Sequence, residues 1–187
     1  MPILITGAFG NVGRELVKRL QMNGQEIKAA VLLTEKERAR EAFGSGIPLV
    51  EFDFTKPETL VRALEGVDRV FLMRPPAISD VARYIKPFVD LMVSKPIKHL
   101  VFLSLLGAEK NPIVPHYKIE KYILKSDIPY TFLRPSFFMQ NLSGTHKNDI
   151  KLHNQICVPA GKGKTSFIDC RDIATAAAVV LTNGSHY

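Results

Sequence analysis

The stretch Pro2-Ile3-Leu4-Ile5-Thr6-Gly7-Ala8-Phe9-Gly10-Asn11-Val12-Gly13 decides the fold. Pro2 to Thr6 is a short apolar run of the kind that forms a strand buried on both faces. Gly7, Gly10 and Gly13 follow at intervals of three. From Asn11 to Met22, Val12, Leu16, Val17 and Leu20 recur at helical spacing, with Gly24 placed to end the helix. Such glycines allow a tight turn, let backbone amides approach a pyrophosphate, and let the helix pack close to the strand. The helix N-terminus adds its partial positive charge. A glycine triplet alone is a weak signal, but here it has the strand before it and the amphipathic helix after it that dinucleotide binding requires.

Outward from this unit the same alternation repeats. Strands are expected at Ile27 to Leu33, Leu49 to Asp53, Asp68 to Met73, Lys98 to Ser104 and Tyr130 to Leu133. Helices are expected from Thr34 to about Phe43 (opened by a capping box at Thr34 and Glu37), Pro57 to Leu64, Ser79 to Ser94, and Pro115 to Ser126. Uniformly apolar strands in strict βαβ alternation predict an α/β doubly wound parallel sheet, the Rossmann fold. After Pro135 the pattern loosens. Ser143 to Asn154 is polar, Pro159 to Gly163 reads as a turn, Thr165 to Ile168 as a short strand, and a last helix capped by Asp169 or Asp172 runs to Leu181. Residues 1–187 are expected to form one dinucleotide-binding domain, with 137–187 the start of a substrate-side region.

Composition narrows the function classes. At 187 residues, 46% apolar and 23% charged, the chain fits one well-packed soluble domain. No segment reaches a membrane span, and the start lacks the basic region of a signal peptide. Two cysteines, Cys157 and Cys170, make neither a disulfide framework nor a metal cluster, so no metal and a reducing, cytoplasmic setting are expected. The net charge of +7 favours anions, which include cofactor phosphates. Its densest part, around Lys147, Lys151, Lys162 and Lys164, has no basic block and no interleaved aromatics, so nucleic acid is not the expected partner. Gly163-Lys164-Thr165 looks like the end of a Walker A loop, but Val158 stands where that loop needs glycine.

The choice of dinucleotide is open at this stage. The acid that would bind the NAD ribose is expected about twenty residues past the glycines, at the end of the second strand. Leu32-Leu33-Thr34 occupies that place, with Glu35 just after it and Lys36, Arg38 and Arg40 in the following helix.

Downstream runs are more specific than the glycines. Val101-Phe102-Leu103-Ser104, His116 with Glu120, Tyr130 through Asn141 (with Leu133-Arg134-Pro135-Ser136-Phe137-Phe138-Met139-Gln140-Asn141), and Phe167-Ile168-Asp169-x-Arg171-Asp172-Ile173-Ala174 join the glycine loop. Together they resemble the NmrA-like branch of atypical short-chain dehydrogenase/reductases over essentially the whole chain. The resemblance implies NADP or NAD, with NADP(H) slightly preferred, lying across the strand ends. It places Gly7, Phe9, Gly10, Asn11, Val12 and Gly13 at the pyrophosphate, and Asp53 and Phe54 near the adenine. Leu72, Met73 and Arg74 fall on the ribose side, and Ser104, His116, Pro135, Phe137 and Phe138 near the nicotinamide. Such proteins usually continue for roughly half as much chain again, which supplies much of the substrate-side wall, so the substrate subdomain is expected to be mostly absent. The branch holds quinone reductases and also non-catalytic redox-sensing regulators. The partners implied are a small-molecule substrate or a protein partner, and a homodimer is compatible with either.

The wider superfamily uses Tyr-x-x-x-Lys on a helix, where the lysine lowers the tyrosine pKa for proton exchange. Tyr117-x-x-x-Lys121 has this spacing, but alignment on Glu120 and Leu133-Arg134-Pro135 puts the lysine position on His116 and the tyrosine position near Pro112. His116 and Ser104 are therefore the candidate catalytic residues. An imidazole near neutrality can bind ribose or carry a proton, and the serine can hydrogen-bond a carbonyl substrate or the carboxamide. A helix-start histidine satisfied by backbone, a buried strand-end serine and an Arg74 that faces solvent are the plain alternatives.

Overall fold

The computed structural model describes residues 1–156, 158 and 161–183. Cys157, the Pro159 and Ala160 part of the expected turn, and Gly184 to Tyr187 lie outside the described residues. In chain order the first part reads β1 (Ile3–Ile5), α1 (Asn11–Met22), β2 (Ile27–Val31), α2 (Lys36–Phe43), β3 (Leu49–Glu51) and α3 (Pro57–Ala63). Then come β4 (Arg69–Met73), α4 (Val81–Tyr84), α5 (Lys86–Val93), β5 (His99–Leu103), α6 (Pro115–Leu124) and β6 (Tyr130–Leu133). The six strands form one sheet in the order β3-β2-β1-β4-β5-β6, with every pairing parallel. This is the doubly wound order, and the chain changes direction across the sheet between β1 and β4.

Alternation along the strands explains why both faces are covered. Ile3, Ile5, Phe71, Val101 and Leu103 point to one face, where Val12, Leu16, Val17 and Leu20 of α1 cover them. Leu4, Val70, Leu72, Leu100 and Phe102 point to the other, against Leu60, Phe88, Met92, Ile119 and Ile123. Each large apolar side chain buried this way contributes about 1.5–3 kcal/mol relative to exposure, before the chain entropy it opposes.

The remaining elements are β7 (Phe137–Phe138), α7 (Gln140–Ser143), α8 (Lys147–His153), β8 (Phe167–Ile168) and α9 (Cys170–Thr182). β7 and β8 pair in parallel as a separate two-stranded sheet. Between them α7 and α8 occupy the polar segment. α9 returns to the α1 side of the main sheet, burying Ile173, Ala174, Ala177 and Leu181, and Arg19 donates to Thr175 Oγ1 across the helix pair at 3.0 Å. Of the two acids expected to cap it, Asp169 is the cap. Its Oδ1 accepts the Arg171 N–H at 2.8 Å.

Three expectations need correction. The helix expected over 79–94 is two pieces that meet at Ile85, because Pro87 has no N–H to bond back along the helix. Asp80 caps the first piece by accepting the Arg83 N–H. The second strand stops at Val31, two residues early, and Leu33–Glu35 forms a 3₁₀ turn. The capping interaction there is not Thr34 with Glu37: the Glu35 carboxylate reaches back to the Leu32 N–H at 3.3 Å.

Candidate functional site

The loop after β1 is shaped by close approach. Gly7 adopts φ +60°, the left-handed region that favours glycine, and the Gly10 N–H closes the turn on the Gly7 carbonyl at 2.9 Å. A Cβ at Gly13 would collide with the Gly7 carbonyl oxygen and come within 2.8 Å of Ala8 Cα, both backbone atoms that cannot swing aside. A Cβ at Gly10 would meet Met73 Cε, at 3.0 Å. Thr6 locks the two central strands together, since its hydroxyl accepts the Met73 N–H at 2.8 Å and lies 3.1 Å from the Phe71 carbonyl, to which it donates. α1 then begins at Asn11 with no side-chain cap and no acid in its first turn. Its first N–H groups are left to an outside acceptor, and an anion fits there.

The far wall holds a buried polar network. Ser104, just past β5, donates to Glu120 Oε1 at 2.5 Å. The same carboxylate takes Arg134 Nε at 2.9 Å and Nη2 at 2.8 Å in a two-pronged pair. Burial pushes the Glu120 carboxyl up, but hydrogen bonds from Arg134 and Ser104 outweigh it, and the pKa falls below the ordinary value. Glu120 is therefore an anion at pH 7, and the Ser104 hydrogen is committed to it. Toward the cleft Ser104 can only accept.

His116 is the second residue of α6, after Pro115, and its ring stacks on Phe102 with centroids 5.9 Å apart. Its Nδ1 is buried without a hydrogen-bond partner. Burial, helped by the nearby Arg74 charge and opposed by Glu120, lowers its pKa to about 4. The imidazole is neutral at pH 7. With Nδ1 buried and unpartnered, the favoured tautomer carries its proton on Nε2, which avoids an unsatisfied buried N–H.

These walls enclose a cleft of about 590 Å³ at the carboxyl ends of β1, β4, β5 and β6, where doubly wound sheets bind ligands. The structure brings Gly10, Asn11 and Val12 from the first loop together with Met73 and Arg74 after β4. Of the other expected residues Ser104, His116, Pro135, Phe137 and Phe138 line it too, whereas Phe9, Asp53, Phe54 and Leu72 do not. Gly7 and Gly13 shape the loop from beneath. Leu103, Leu105, Pro76, Ser136, Asn141 and Thr145 also line the cleft. Asn141 lay in the quoted downstream run, whereas Thr145 carried no sequence signal. Arg74 does not simply face solvent: its Nη1 donates to the carbonyls of Pro75, Pro76 and Ile78 at 2.9, 3.1 and 2.6 Å.

Phe9 packs outside this cleft, on the α2 side. Arg14 donates from Nε to its carbonyl at 2.9 Å and covers its ring, while Arg38 of α2 lies 5.3 Å from the ring centre. Two guanidinium groups thus lie by the Phe9 ring, which packs edge-on against Phe43 of α2.

The side chains of Phe54 and Leu72 are not available as ligands. Phe54 packs edge-on against Phe52 and Phe88 in the core, and Leu72 is fully buried on the sheet face away from the glycine loop. Alternation along β4 makes this unavoidable once Met73 faces the loop. Asp53 folds its carboxylate onto the Thr55 N–H and hydroxyl, at 2.9 and 2.7 Å. Tyr117 and Lys121 do not line the cleft, and the lysine lies over the tyrosine ring at 5.2 Å. Among the described residues no cluster of His, Cys, Asp and Glu has the makings of a metal site, and no helix is long and apolar enough to cross a membrane.

The model of the NmrA-like family matches residues 1–187. The chain is 36% identical over 183 residues to Prestalk A differentiation protein A of Dictyostelium discoideum, covering 97% of this chain and 60% of that protein. It is 32% identical over 188 residues to an NAD(P)H azoreductase of Xenophilus azovorans, covering 98% and 64%. The solved structure of the Escherichia coli NADPH-dependent quinone oxidoreductase QOR2, complexed with NADPH, superposes with a TM-score of 0.83 at 27% identity, covering 97% of this chain and 65% of that one. The chain thus spans somewhat under two thirds of the length of these relatives.

Proposed function

This chain belongs to the NmrA-like family, and from that premise we propose that it binds NADP(H) or NAD(H) and serves an NAD(P)H-dependent reductase of a quinone-like or carbonyl acceptor. The observation that carries the reading is the glycine cradle. Its loop excludes any Cβ at Gly13, aims uncapped helix N–H groups at a phosphate position, and opens directly into the cleft at the sheet's switch point. The residues present fit a dinucleotide, and relatives whose names carry NAD(P)H or NADPH support the assignment.

When bound, reduced nicotinamide supplies a hydride, two electrons and one proton, to the acceptor, which takes a second proton from water. The chain's own residues bind and orient. Amides of Asn11 and Val12 hold the pyrophosphate. Ser104, an acceptor toward the cleft, fits an amide N–H of the carboxamide rather than a substrate carbonyl. His116 offers a neutral N–H donor, and Phe137, Phe138 and Pro135 supply an apolar wall from the start of the substrate-side region. Arg14 and Arg38 around Phe9 favour the 2′-phosphate of NADP(H), because Glu35 turns its carboxylate back to the Leu32 N–H. The cysteine usage favours a reducing cytoplasmic setting.

Steady oxidation of NADPH by a panel of quinones tests the catalytic reading, and tight NADPH binding with no turnover of any acceptor overturns it. The missing in-register tyrosine, with Pro112 near its place, favours a second reading: a dinucleotide-sensing regulator that holds a protein partner. Partner capture that depends on the redox state of the dinucleotide supports that reading, and capture indifferent to dinucleotide counts against it.

A further inference from the structure

The segment that brings Phe137, Phe138, Asn141 and Thr145 to the cleft has little core of its own. β7 and β8 pair over two residues each, fewer than a sheet needs to stand alone. α7 and α8 bury no residue. Such a wall holds its shape through its ties to the rest of the fold.

The tie to α9 is made by Gln140, the first residue of α7, which uses both ends of its carboxamide. Its Nε2 donates to Asp169 Oδ1 at 2.8 Å, and its Oε1 accepts the Cys170 N–H at 3.0 Å. The second bond satisfies the first N–H of α9, while Asp169 itself takes the Arg171 N–H. Hydrogen bonds from Arg171 hold the Asp169 carboxyl below the ordinary carboxylate range, so the Gln140 bond to it is charge-assisted. α9 in turn packs on α1, whose first residues Asn11 and Val12 line the same cleft. Gln140 therefore links two parts of the cleft lining through one helix. Two neighbouring ties, Ser136 Oγ to the Ser166 carbonyl at 2.6 Å and the Met139 N–H to the Ile168 carbonyl at 2.9 Å, join β7 to the β8 strand. The start of α7 is left to Gln140.

We propose that Gln140 is a positioning residue of this site. It fixes α7 on the cap of α9 and so holds Phe138 and Asn141 in the cleft wall, while its own side chain does not line the cleft. The proposal rests on the dinucleotide reading for what the wall encloses, but the link itself needs no ligand.

The test compares two variants. Gln140→Met keeps the length of the side chain without its polar ends. Arg171→Ala disturbs the same carboxylate but leaves both Gln140 bonds. The reporters are the amides of Met139, Leu142 and Gly144, which bond to the carbonyls of Ile168, Met139 and Gln140. In Gln140→Met their hydrogen exchange is expected to rise by about tenfold or more, with the amides of β1 and α1 unchanged. In Arg171→Ala it is expected to stay within about twofold of the wild type. NADPH affinity of Gln140→Met is expected to stay within about threefold, because the glycine loop is untouched. The blue shift that an apolar wall gives bound nicotinamide emission is expected to be mostly lost. A merely structural role would instead lower the urea midpoint and raise exchange throughout the chain, and that result overturns the proposal. So does unchanged exchange at the three amides, an undiminished blue shift, or an equal rise in Arg171→Ala, which would assign the effect to the α9 cap as a whole. If NADPH fails to bind the wild type while the exchange contrast holds, Gln140 keeps its place in the wall and the dinucleotide reading falls.

Discussion

Ser104 illustrates how a neighbour sets what a side chain can do. A free hydroxyl both donates and accepts, but the one at Ser104 is captured by a carboxylate that Arg134 holds ionised. The substitution Ser104→Ala is therefore expected to weaken NADPH binding by about five- to tenfold, the value of one neutral hydrogen bond, and to cost about 1.5–3 kcal/mol of stability because the buried Glu120 carboxylate loses a donor. Fluorescence titration and a urea melt read the two effects separately. Glu120→Ala leaves Arg134 with only the longer Glu109 contact at 3.6 Å and is expected to destabilise the fold by about 2–3 kcal/mol, less than for a fully broken buried pair because Arg134 is one-third exposed and keeps that partner. Two histidines add a pH dependence. Burial lowers His99 to about 4, and His116 likewise, from an ordinary 6.5. Because the unfolded chain takes up these protons first, the stability is fully present above pH 6.5 and is lost as the pH falls toward 4. For the nearly inaccessible His99 the loss between pH 7.5 and 5 is expected to be about 2 kcal/mol, and urea midpoints that do not move over that range would contradict it.

Elements meet at glycines, and Gly13 is where α1 rests on the loop beneath it. Gly13→Ala places a Cβ among backbone atoms of Gly7 and Ala8, so the helix must lift away from β1. The expected result is a loss of about 1–3 kcal/mol in stability, as for other overpacked sites, together with loss of dinucleotide binding. Retention of wild-type NADPH affinity in that variant would refute the cradle's role. The parallel sheet and its helices were legible in the sequence because each unit is local: an apolar run, a turn, a 3.6-residue period. What was not legible depends on distant partners. The pairing of β7 with β8 joins Phe137 to Phe167 across thirty residues of polar chain, and no periodicity marks it. The side chains of Phe54 and Leu72 turn into the core, so only their backbone could meet a ligand, and a place in the chain does not by itself fix which side of the backbone a side chain takes. Glu120 was visible as part of a motif, but its capture of the Ser104 hydrogen needed the helix α6 to be placed against β5. The break at Ile85 was readable in principle, since Pro87 stands two residues later.

For the molecule as a whole, the switch between β1 and β4 gathers every ligand-facing group at one end of the sheet, and the charges there follow a pattern. Uncapped N–H groups lie at the start of α1, two guanidiniums lie by Phe9 on the α2 side, and Arg74, which pairs with no carboxylate among the described residues, lines the cleft. Each of these invites an anion, and a phosphorylated dinucleotide carries several. Arg38→Ala is expected to cut the ratio of NADPH to NADH affinity by about tenfold, since it removes one charge-assisted contact to the 2′-phosphate and nothing from NADH. Isothermal titration with both cofactors would detect that change, and an unaltered ratio would remove Arg38 from the site. The central claim, that the loop from Gly7 to Gly13 holds a nicotinamide dinucleotide, is tested most directly by titrating the chain into NADPH and into NADH while following dinucleotide fluorescence. The chain has no tryptophan, so protein emission interferes little. Saturable binding with NADPH favoured is the predicted result, and failure of both dinucleotides to bind would contradict the account.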